Sequence, residues 1–209
     1  MLRPHELSDE SAAFLCGQLF SAADISYKRC RTLVQYLLFP KGLERSVSRA
    51  LSTAISSVAK QHPSPLTDAL LLPLVLAPAL GVPQSDVINR VLKECFDLNS
   101  VLQFFKAFLG SCESGEDESF SMSQSQSQSQ DAGFGVTWTE NTVVVLQAVV
   151  DMRGMVLPAD AFELLLVQLD RHAAYFAASL KFSALMMSLI TKHSNQRGVF
   201  IWSCVERRR

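Results

Sequence analysis

Apolar residues that recur every three or four positions constrain this fold more than any other feature of the chain. Between residues 44 and 60 the apolar positions Val47, Leu51, Ala54 and Val58 fall on one side of a 3.6-residue helix, opposite Ser, Arg and Lys. A period of two persists nowhere for long. The sequence therefore predicts a series of amphipathic helices. The same spacing recurs in Ile88, Val91, Leu92 and Cys95; Val101, Phe104, Phe105 and Phe108; Phe162, Leu165, Leu166 and Leu169; and Phe182, Leu185, Met186 and Leu189.

A weak internal repeat groups these helices into pairs. Segments starting near Arg49, Val87, Thr142 and Ala184 each resemble a first helix, and the first three lead through a turn into a second helix. The period is about 40 residues once a central insertion is left out, in the range of HEAT and armadillo units. Short connections between amphipathic helices imply antiparallel neighbours. We predict an all-α fold of antiparallel helix pairs stacked as a HEAT/armadillo-like solenoid.

Two local features qualify this prediction. The run Val143-Val144-Val145 is compatible with a strand, but Val143, Leu146 and Val150 keep helical spacing, and Thr137 with Glu140 resembles a capping box. Pro73 lies inside an otherwise helical stretch, where it removes a backbone donor and should kink the helix at a cost of about 3 kcal/mol. We expect a helix in the first case and a bent helix in the second.

The chain divides into four predicted parts. Residues 1–110 form the first part of a helical-repeat domain, residues 137–193 form its second part, and residues 194–209 are a tail that contains an apolar Val199-Phe200-Ile201-Trp202. Residues 111–136 separate the two helical parts and combine acidic side chains with a repeated Ser-Gln pair. Because such a segment cannot bury enough apolar surface to order itself, we predict a disordered acidic insertion.

The Ser-Gln pairs support two interpretations. Clustered Ser-Gln pairs in an acidic segment are typical substrates of DNA-damage checkpoint kinases, and each phosphate would add nearly two negative charges. Tolerated expansion of a repeat is the alternative. The candidate phosphorylation sites are Ser123, Ser125, Ser127 and Ser129.

Composition excludes several classes of function. A formal net charge of −1 argues against autonomous nucleic-acid binding, and the basic run at residues 207–209 is more typical of a solvated tail. Five cysteines without CxxC spacing favour reduced thiols in the cytosol or nucleus. Prolines or a lysine interrupt the longest apolar stretches, and the first ten residues are polar, so we expect a soluble intracellular protein without a membrane segment.

The chain also lacks residue patterns that carry catalysis. The four histidines are far apart and lack ligand spacing, and no phosphate-binding loop, nucleophile elbow or paired-carboxylate motif is present. We therefore expect no metal, no cofactor and no enzymatic activity. The stripe of Phe104, Phe105 and Phe108 is more typical of a core than of a partner-binding surface, although Phe104 and Phe105 cannot both face one point.

Several idiosyncratic strings, in matching order between Leu33 and His193, resemble the C-terminal helical domain of the Fanconi anaemia complementation group E family. Departures from the family pattern are the start of this chain almost at the helical domain, the serine-rich insertion, and the lack of a match after His193. The strings are Leu37-Leu38-Phe39-Pro40-Lys41, the run from Ala69 to Pro78 ending in Gly81, Trp138-Thr139-Glu140 leading to Val145-Leu146-Gln147, and the run from Leu185 to Lys192.

The resemblance implies a nuclear, non-enzymatic subunit of the Fanconi core complex that binds the group C protein. It further implies recruitment of the group D-two protein for monoubiquitination in interstrand crosslink repair. Because the family's last helices, which are linked to group D-two binding, find no match after His193, no residue for that contact is transferred. The alternatives are a helical-repeat scaffold of another pathway and, less favoured, a DNA-binding helical module, which would need a basic stripe on the folded surface.

Five apolar residues are the candidates for partner contact. They surround the Pro40-Lys41 corner or lie on the helix that contains Pro73, and each has the alternative of being an ordinary core residue. The candidates are Leu38, Phe39, Leu43, Leu71 and Leu72.

Overall fold

The computed structural model describes residues 7–20, 25–43, 47–78, 80–112 and 138–193, and the regular elements in these ranges are helices. This confirms the predicted all-α class for the described part of the chain. The elements are α1 (Asp9–Phe20), α2 (Tyr27–Leu33), α3 (Phe39–Gly42), α4 (Arg49–Gln61), α5 (Pro63–Leu66), α6 (Leu72–Val75), α7 (Val82–Glu94), α8 (Leu98–Ser111), α9 (Glu140–Val150), α10 (Ala159–Ala173) and α11 (Leu180–Lys192), with π-helical turns at Val34–Leu38 and Thr67–Leu71.

Polar side chains mark where many of the helices begin. In α2, α4, α8, α9 and α11 the residue before the helix accepts a hydrogen bond from a backbone amide three residues on, which satisfies one of the amides left unpaired at a helix start. These caps are Ser26, Ser48, Asp97, Thr139 and Ser179.

The run Val143-Val144-Val145 lies inside α9, as its helical spacing predicted. The predicted cap was wrong in position. Thr139, not a residue two positions earlier, precedes the helix, and it exchanges hydrogen bonds with Thr142 in a capping box. Thr137, the predicted cap, lies outside the described residues. The predicted partner Glu140 is the first residue of α9, one position too early to complete the box.

The helices form two rows that the chain visits alternately. In the first row α1 contacts α4, α4 contacts α7, α7 contacts α9, and α9 contacts α11. In the second row the two π-turns contact each other, α6 contacts α8, and α8 contacts α10. The segments predicted as first helices, near Arg49, Val87, Thr142 and Ala184, all lie in the first row as parts of α4, α7, α9 and α11.

Ion pairs at matching ends show the direction of neighbouring helices. Lys181 Nζ lies 3.9 Å from Glu140 Oε2 at the start of α11 and α9, and Lys192 Nζ lies 2.9 Å from Asp151 Oδ1 at their ends. The two helices therefore run parallel. This direction follows from the second-row helix α10, which lies between them in the chain and returns it to the same end.

One hydrophobic cluster joins both rows. Phe104, Phe105 and Phe108 of α8 are all buried in it, which confirms their prediction as core residues. Phe104 and Phe105 cannot face one point, yet both are buried. This is possible because α8 lies between α6 and α10 and is covered on two sides. Burial on both sides of a helix needs neighbours from distant parts of the chain.

Two helices before Leu33 were missed by the sequence analysis. Helix α1 buries Ala12, Cys16 and Phe20 at four-residue spacing and packs on α4. The four-residue spacing of these apolar residues is a sequence signal for the helix, but it covers only residues 12–20. The helical part of the chain therefore begins before the range in which the family strings occur.

The described parts of the chain before residue 113 and after residue 137 come together at Phe108 and Trp138. Helix α8 ends at Ser111, and the described chain resumes at Trp138, whose ring lies 6.0 Å from that of Phe108. On α10, His172 stacks on Trp138 with ring centroids 4.5 Å apart, and Arg171 Nη1 donates a hydrogen bond of 3.4 Å to the carbonyl of Cys112. The predicted disordered insertion itself lies outside the described residues.

Within the described ranges, no helix has both the length and the apolar composition needed to cross a lipid bilayer.

Candidate interaction surface

Two helices of the second row contain the same unusual element, a π-turn directly before a proline. In the first, the amide of Phe39 donates to the carbonyl of Val34, and Pro40 follows. In the second, the amide of Leu72 donates to the carbonyl of Thr67, and Pro73 follows. The predicted bend at Pro73 is therefore accommodated by a change of hydrogen-bond spacing. The equivalent turn at Pro40 was not predicted from the sequence.

The chemistry of proline accounts for both turns. Proline has no amide hydrogen, and its ring collides with the carbonyl four residues earlier in an α-helix. A π-turn widens the helix by one residue and moves that carbonyl away, so the amide before the proline can bond to the carbonyl five residues back. π-turns inside α-helices occur frequently at functional sites.

The two turns are held against each other by close packing. A Cβ atom added to Gly42 would lie 3.2 Å from Cδ1 of Leu70 and 3.3 Å from Cδ1 of Leu74, so α3 approaches the second π-turn and α6 more closely than a side chain allows comfortably. The hydroxyl of Tyr27, at the start of α2, donates a hydrogen bond to Asp68 of the second π-turn. This bond to a carboxylate raises the pKa of Tyr27.

Helix α3 is also tied to the first row. Lys41 is buried, and its Nζ atom lies 3.6 Å from Oδ1 of Asp9 at the start of α1. An acidic residue in the first turn of α1 also opposes the partial positive charge of that helix end. The Pro40-Lys41-Gly42 string thus has three separate structural roles: a proline-adapted turn, an ion pair and a close approach.

Apolar side chains remain accessible on the outside of these two helices. Tyr36 is 62% exposed and Leu43 is 49% exposed, and the other members are half-buried. Tyrosine and large aliphatic residues in such positions can anchor a protein partner. We call this set the paired-turn surface, and its members are Tyr36, Phe39, Pro40, Leu43, Leu72, Pro73 and Leu76.

The structure separates the five predicted contact residues into two groups. Leu38 and Leu71 are fully buried within the π-turns, so their side chains occupy the core, which was the alternative interpretation for each. Phe39 and Leu72 are half-buried, and Leu43 is exposed. The last three belong to the paired-turn surface, and contact between any of the five and a partner stays a prediction.

Tyr36 and the exposed basic residues of α2 were not among the contact residues predicted from the sequence. Lys28, Arg29 and Arg31 of α2 are all exposed, one to three turns before Tyr36. The signal was visible as three basic residues within seven, but α2 itself was not predicted. A basic flank beside an apolar patch suits a partner whose contact site combines apolar and acidic residues.

A groove in the described part of the chain contains the buried thiol of Cys16. A groove of about 400 Å³ between α1 and α4 is lined by small, apolar and neutral polar residues, among them Cys16. Burial raises the pKa of the Cys16 thiol to about 11, so at neutral pH it is protonated and a poor nucleophile. No group of three or more His, Cys, Asp or Glu residues lies close enough to hold a metal ion in the described ranges.

The candidate phosphorylation sites Ser123, Ser125, Ser127 and Ser129 all lie outside the described residues. The prediction that checkpoint kinases modify them therefore stays a prediction.

No protein-family model matches the chain. The human Fanconi anemia group E protein is 25% identical to it over 192 residues, a match that covers 90% of this chain and 31% of the human protein. The matched length exceeds the range between Leu33 and His193, to which the family strings had limited the resemblance. The chain is thus distantly similar to a Fanconi protein over most of its own length, and it spans about a third of that protein's length.

Proposed function

We propose that this chain is a non-enzymatic adaptor subunit of the Fanconi anaemia core complex that binds the group C protein. The observation that carries the proposal is the similarity to the human group E protein across 90% of the chain. Two of the strings that suggested this family from the sequence, Leu37 to Lys41 and Ala69 to Pro78, overlap the two π-turns and include the prolines that follow them. The proposed adaptor acts in the nucleus.

The proposed architecture suits this role. We propose that the two rows of helices continue as a HEAT/armadillo-like stack of antiparallel pairs, which presents long ridged surfaces to partner proteins. The paired-turn surface is the proposed contact site for the group C protein, because it presents accessible aromatic and aliphatic side chains.

Recruitment of the group D-two protein for monoubiquitination in interstrand crosslink repair is a second element of the proposal. Nothing in the described residues identifies its contact site, and the chain spans about a third of the human relative. We therefore place this contact on the assembled core complex, with other core-complex subunits contributing to it.

Co-purification of the full chain with the Fanconi group C protein tests the adaptor role. We expect association at micromolar concentration, and we expect Tyr36→Ala combined with Leu43→Asp to weaken it about tenfold or more, as for loss of an interface anchor. The melting temperature should stay nearly unchanged, because both side chains are largely outside the core.

The matched control combines Tyr175→Ala with Val156→Asp. These residues are 74% and 76% exposed, so the same chemical changes are made on another part of the surface. Equal weakening by the control pair would show that the paired-turn surface is not the contact site. Absence of any association between the two wild-type proteins would overturn the adaptor role itself and favour a scaffold of another pathway.

Phosphorylation is tested separately by incubating the chain with a checkpoint kinase that prefers Ser-Gln. We expect phosphate on one or more of Ser123, Ser125, Ser127 and Ser129, located by mass spectrometry, and none on a variant with all four changed to alanine. An unmodified wild-type chain would favour a tolerated repeat expansion instead.

A further inference from the structure

The helix that runs from α2 through the first π-turn to α3 carries charge of one sign. Residues 25–43 contain four basic residues and neither Asp nor Glu, although the whole chain has a formal net charge of −1. One of the four, Lys41, is buried in an ion pair. The other three are exposed, and no carboxylate in the described part of the chain forms an ion pair with them. They are Lys28, Arg29 and Arg31.

Two of these basic residues lie where a positive charge is unfavourable for a helix. Ser26 caps α2, so Lys28 and Arg29 are the second and third residues of its first turn, which contains no acidic residue. The amides at a helix start carry a partial positive charge, and acidic side chains are the favourable ones there. The local stability of α2 therefore does not account for Lys28 and Arg29. Residues that oppose a local preference are expected at functional sites.

The neighbouring helix does not balance this charge. Residues 62–78 run beside it, since α2 contacts α5 and the two π-turns contact each other, and they contain one acidic residue, Asp68. Its carboxylate accepts the hydrogen bond from the hydroxyl of Tyr27. Asp24 and Glu44, which flank the basic helix in the sequence, lie outside the described residues. A partner with acidic side chains would find complementary charge at the start of α2.

The basic residues continue the apolar ones along the same side of the helix. Arg29 precedes Tyr36 by seven residues, or about two helical turns, and Tyr36 precedes Leu43 by another seven. At 1.5 Å per residue this side is about 20 Å long, with basic side chains at one end and apolar side chains at the other. We call it the mixed strip, and its members are Lys28, Arg29, Thr32, Tyr36, Phe39 and Leu43.

A helix of a partner protein fits the mixed strip better than an extended segment or a nucleic acid does. An extended segment binds by adding a strand to a sheet edge, whereas the elements in the described ranges are helices. Nucleic-acid binding depends on many cations against the phosphates, and half of the strip is apolar. A helix of about 14 residues has the same length and presents side chains at the same three- and four-residue spacing.

We propose that the mixed strip binds an amphipathic helix of a partner protein, with acidic side chains opposite Lys28 and Arg29 and large apolar side chains opposite the strip's other end. This inference rests on the proposed adaptor function, because it specifies the kind of segment that the paired-turn surface takes. The apolar contacts supply most of the affinity. The charges fix the register of the partner helix and speed its association.

Fluorescence anisotropy with two labelled peptides tests the inference on the full chain. Both peptides have about fifteen residues, with leucines at helical spacing in the second half. The first half carries glutamates in one peptide and lysines in the other, because acidic residues stabilise a helix start. We expect the glutamate peptide to bind about tenfold more tightly or better. High salt should reduce this difference, because it screens exposed charges.

Lys28→Glu combined with Arg29→Glu should abolish the preference for the glutamate peptide. The new glutamates follow the Ser26 cap, where acidic residues are favoured, so the melting temperature should not fall. Arg49→Glu combined with Lys60→Glu is the matched control, because it reverses one exposed arginine and one exposed lysine on the first-row helix α4. The control should keep the preference unchanged.

Tyr36→Ala combined with Leu43→Asp tests the apolar end of the strip. Because both peptides carry the same leucines, this pair should weaken the binding of the glutamate peptide about tenfold without moving the melting temperature, as for loss of an interface anchor. Unchanged affinity would place the peptide elsewhere on the chain and overturn the inference.

Three further results would also overturn it. They are no binding of the glutamate peptide at about 100 μM, equal affinity of the wild-type chain for the two peptides, and a preference that survives Lys28→Glu with Arg29→Glu. Tighter binding of a labelled single-stranded DNA oligonucleotide than of the glutamate peptide would overturn it in favour of a nucleic acid.

Co-purification with the group C protein decides the adaptor function separately. A chain that selects the glutamate peptide but does not associate with the group C protein would retain the mixed strip as a helix-binding site and reject the adaptor role. Association with the group C protein, without selection between the peptides, would retain the adaptor role and reject the inference.

Discussion

At the scale of single residues, buried polar atoms without partners are the least expected feature. Gln168 is fully buried, and neither its amide nitrogen nor its amide oxygen has a hydrogen-bond partner among the described residues. Its backbone carbonyl lies 2.8 Å from Nδ1 of His172, which in turn stacks on Trp138. Polar groups buried without partners lose their bonds to water and lower the stability of the fold. The two unpaired atoms belong to α10, four residues before the His172 that stacks on Trp138.

Gln168→Met should therefore stabilise the chain. Methionine has a similar length and flexibility, and it removes two unpaired polar atoms, so we expect the free energy of unfolding to rise by about 1–3 kcal/mol. Urea unfolding followed by circular dichroism measures the change. Gln103→Met on α8, at an exposed position, is the control and should have little effect. A loss of stability in Gln168→Met would mean that the amide is paired in solution.

His193 should make stability depend on pH. Burial, and secondarily the charge of Lys192, lowers the pKa of His193 below its usual value of 6.5, and no atom in the described part of the chain is a hydrogen-bond partner for Nε2. Because the unfolded chain binds the proton more readily, this contribution to stability is complete above about pH 6.5 and is lost as pH falls through the lowered pKa.

His193→Gln should flatten the pH dependence of the melting temperature below pH 6.5 relative to the wild type. An NMR titration of the imidazole should also give a midpoint below 6.5. Parallel pH profiles for the two proteins would contradict the assignment of this dependence to His193.

At the scale of elements, the two π-turns show that a local signal can predict a disturbed helix without specifying the structure of the disturbance. The prolines at 40 and 73 are evident in the sequence, and each must disturb a helix. The response could be a chain reversal, a kink or a wider turn. Contact between the two turns, with Gly42 against Leu70 and Leu74, accompanies the wider turn in both helices.

Deletion of Gln35 tests the first π-turn. Removing one residue would return the turn to α-helical spacing and rotate the following residues by about 100° relative to α2. Lys41 would then leave Asp9, and Gly42 would leave its close contact with Leu70 and Leu74. We expect destabilisation by more than about 3 kcal/mol, as for loss of packing in a core.

Gln35→Ala is the matched control for this deletion. Gln35 is exposed, so replacing it without changing the chain length should alter the free energy of unfolding by less than about 0.5 kcal/mol. Thermal unfolding of the two variants compares them directly. Similar melting temperatures would show that the π-turn has no structural importance.

At the scale of the whole molecule, the helices on the two sides of the insertion belong to the same two rows. Helix α7 contacts α9, and α8 contacts α10, although residues 113–137 separate each pair in the chain. Phe108 and Trp138 bring the two sides together. Residues 113–137 therefore connect helices that belong to the same two rows.

Replacing residues 113–136 by an eight-residue Gly-Ser linker should consequently preserve the fold. The cost of closing a loop changes by only about 0.6 kcal/mol for each doubling of its length. We expect the free energy of unfolding to stay within about 1 kcal/mol of the wild type. Trp138→Ala in the intact chain is the comparison and should cost about 3–5 kcal/mol, because Trp138 is buried between Phe108 and His172.

A large loss of stability in the linker variant would contradict the prediction that the insertion lies outside the helical repeat. It would mean that residues 113–136 contribute to the core. The same outcome would remove the reason for treating the Ser-Gln pairs as accessible to kinases.

The amino-acid sequence alone determined the helical class, the positions of most helices and the core role of Phe104, Phe105 and Phe108, because a 3.6-residue apolar period is a local signal. Tertiary structure decided which neighbouring side chains are buried. Leu38 and Leu71 lie in the core while Tyr36 and Leu43 face outward, since a helix that is apolar on several sides is oriented by contacts with distant residues. Contacts between distant parts of the chain also place the two proline-containing turns side by side and leave apolar residues of α11 exposed. No local pattern could predict either result.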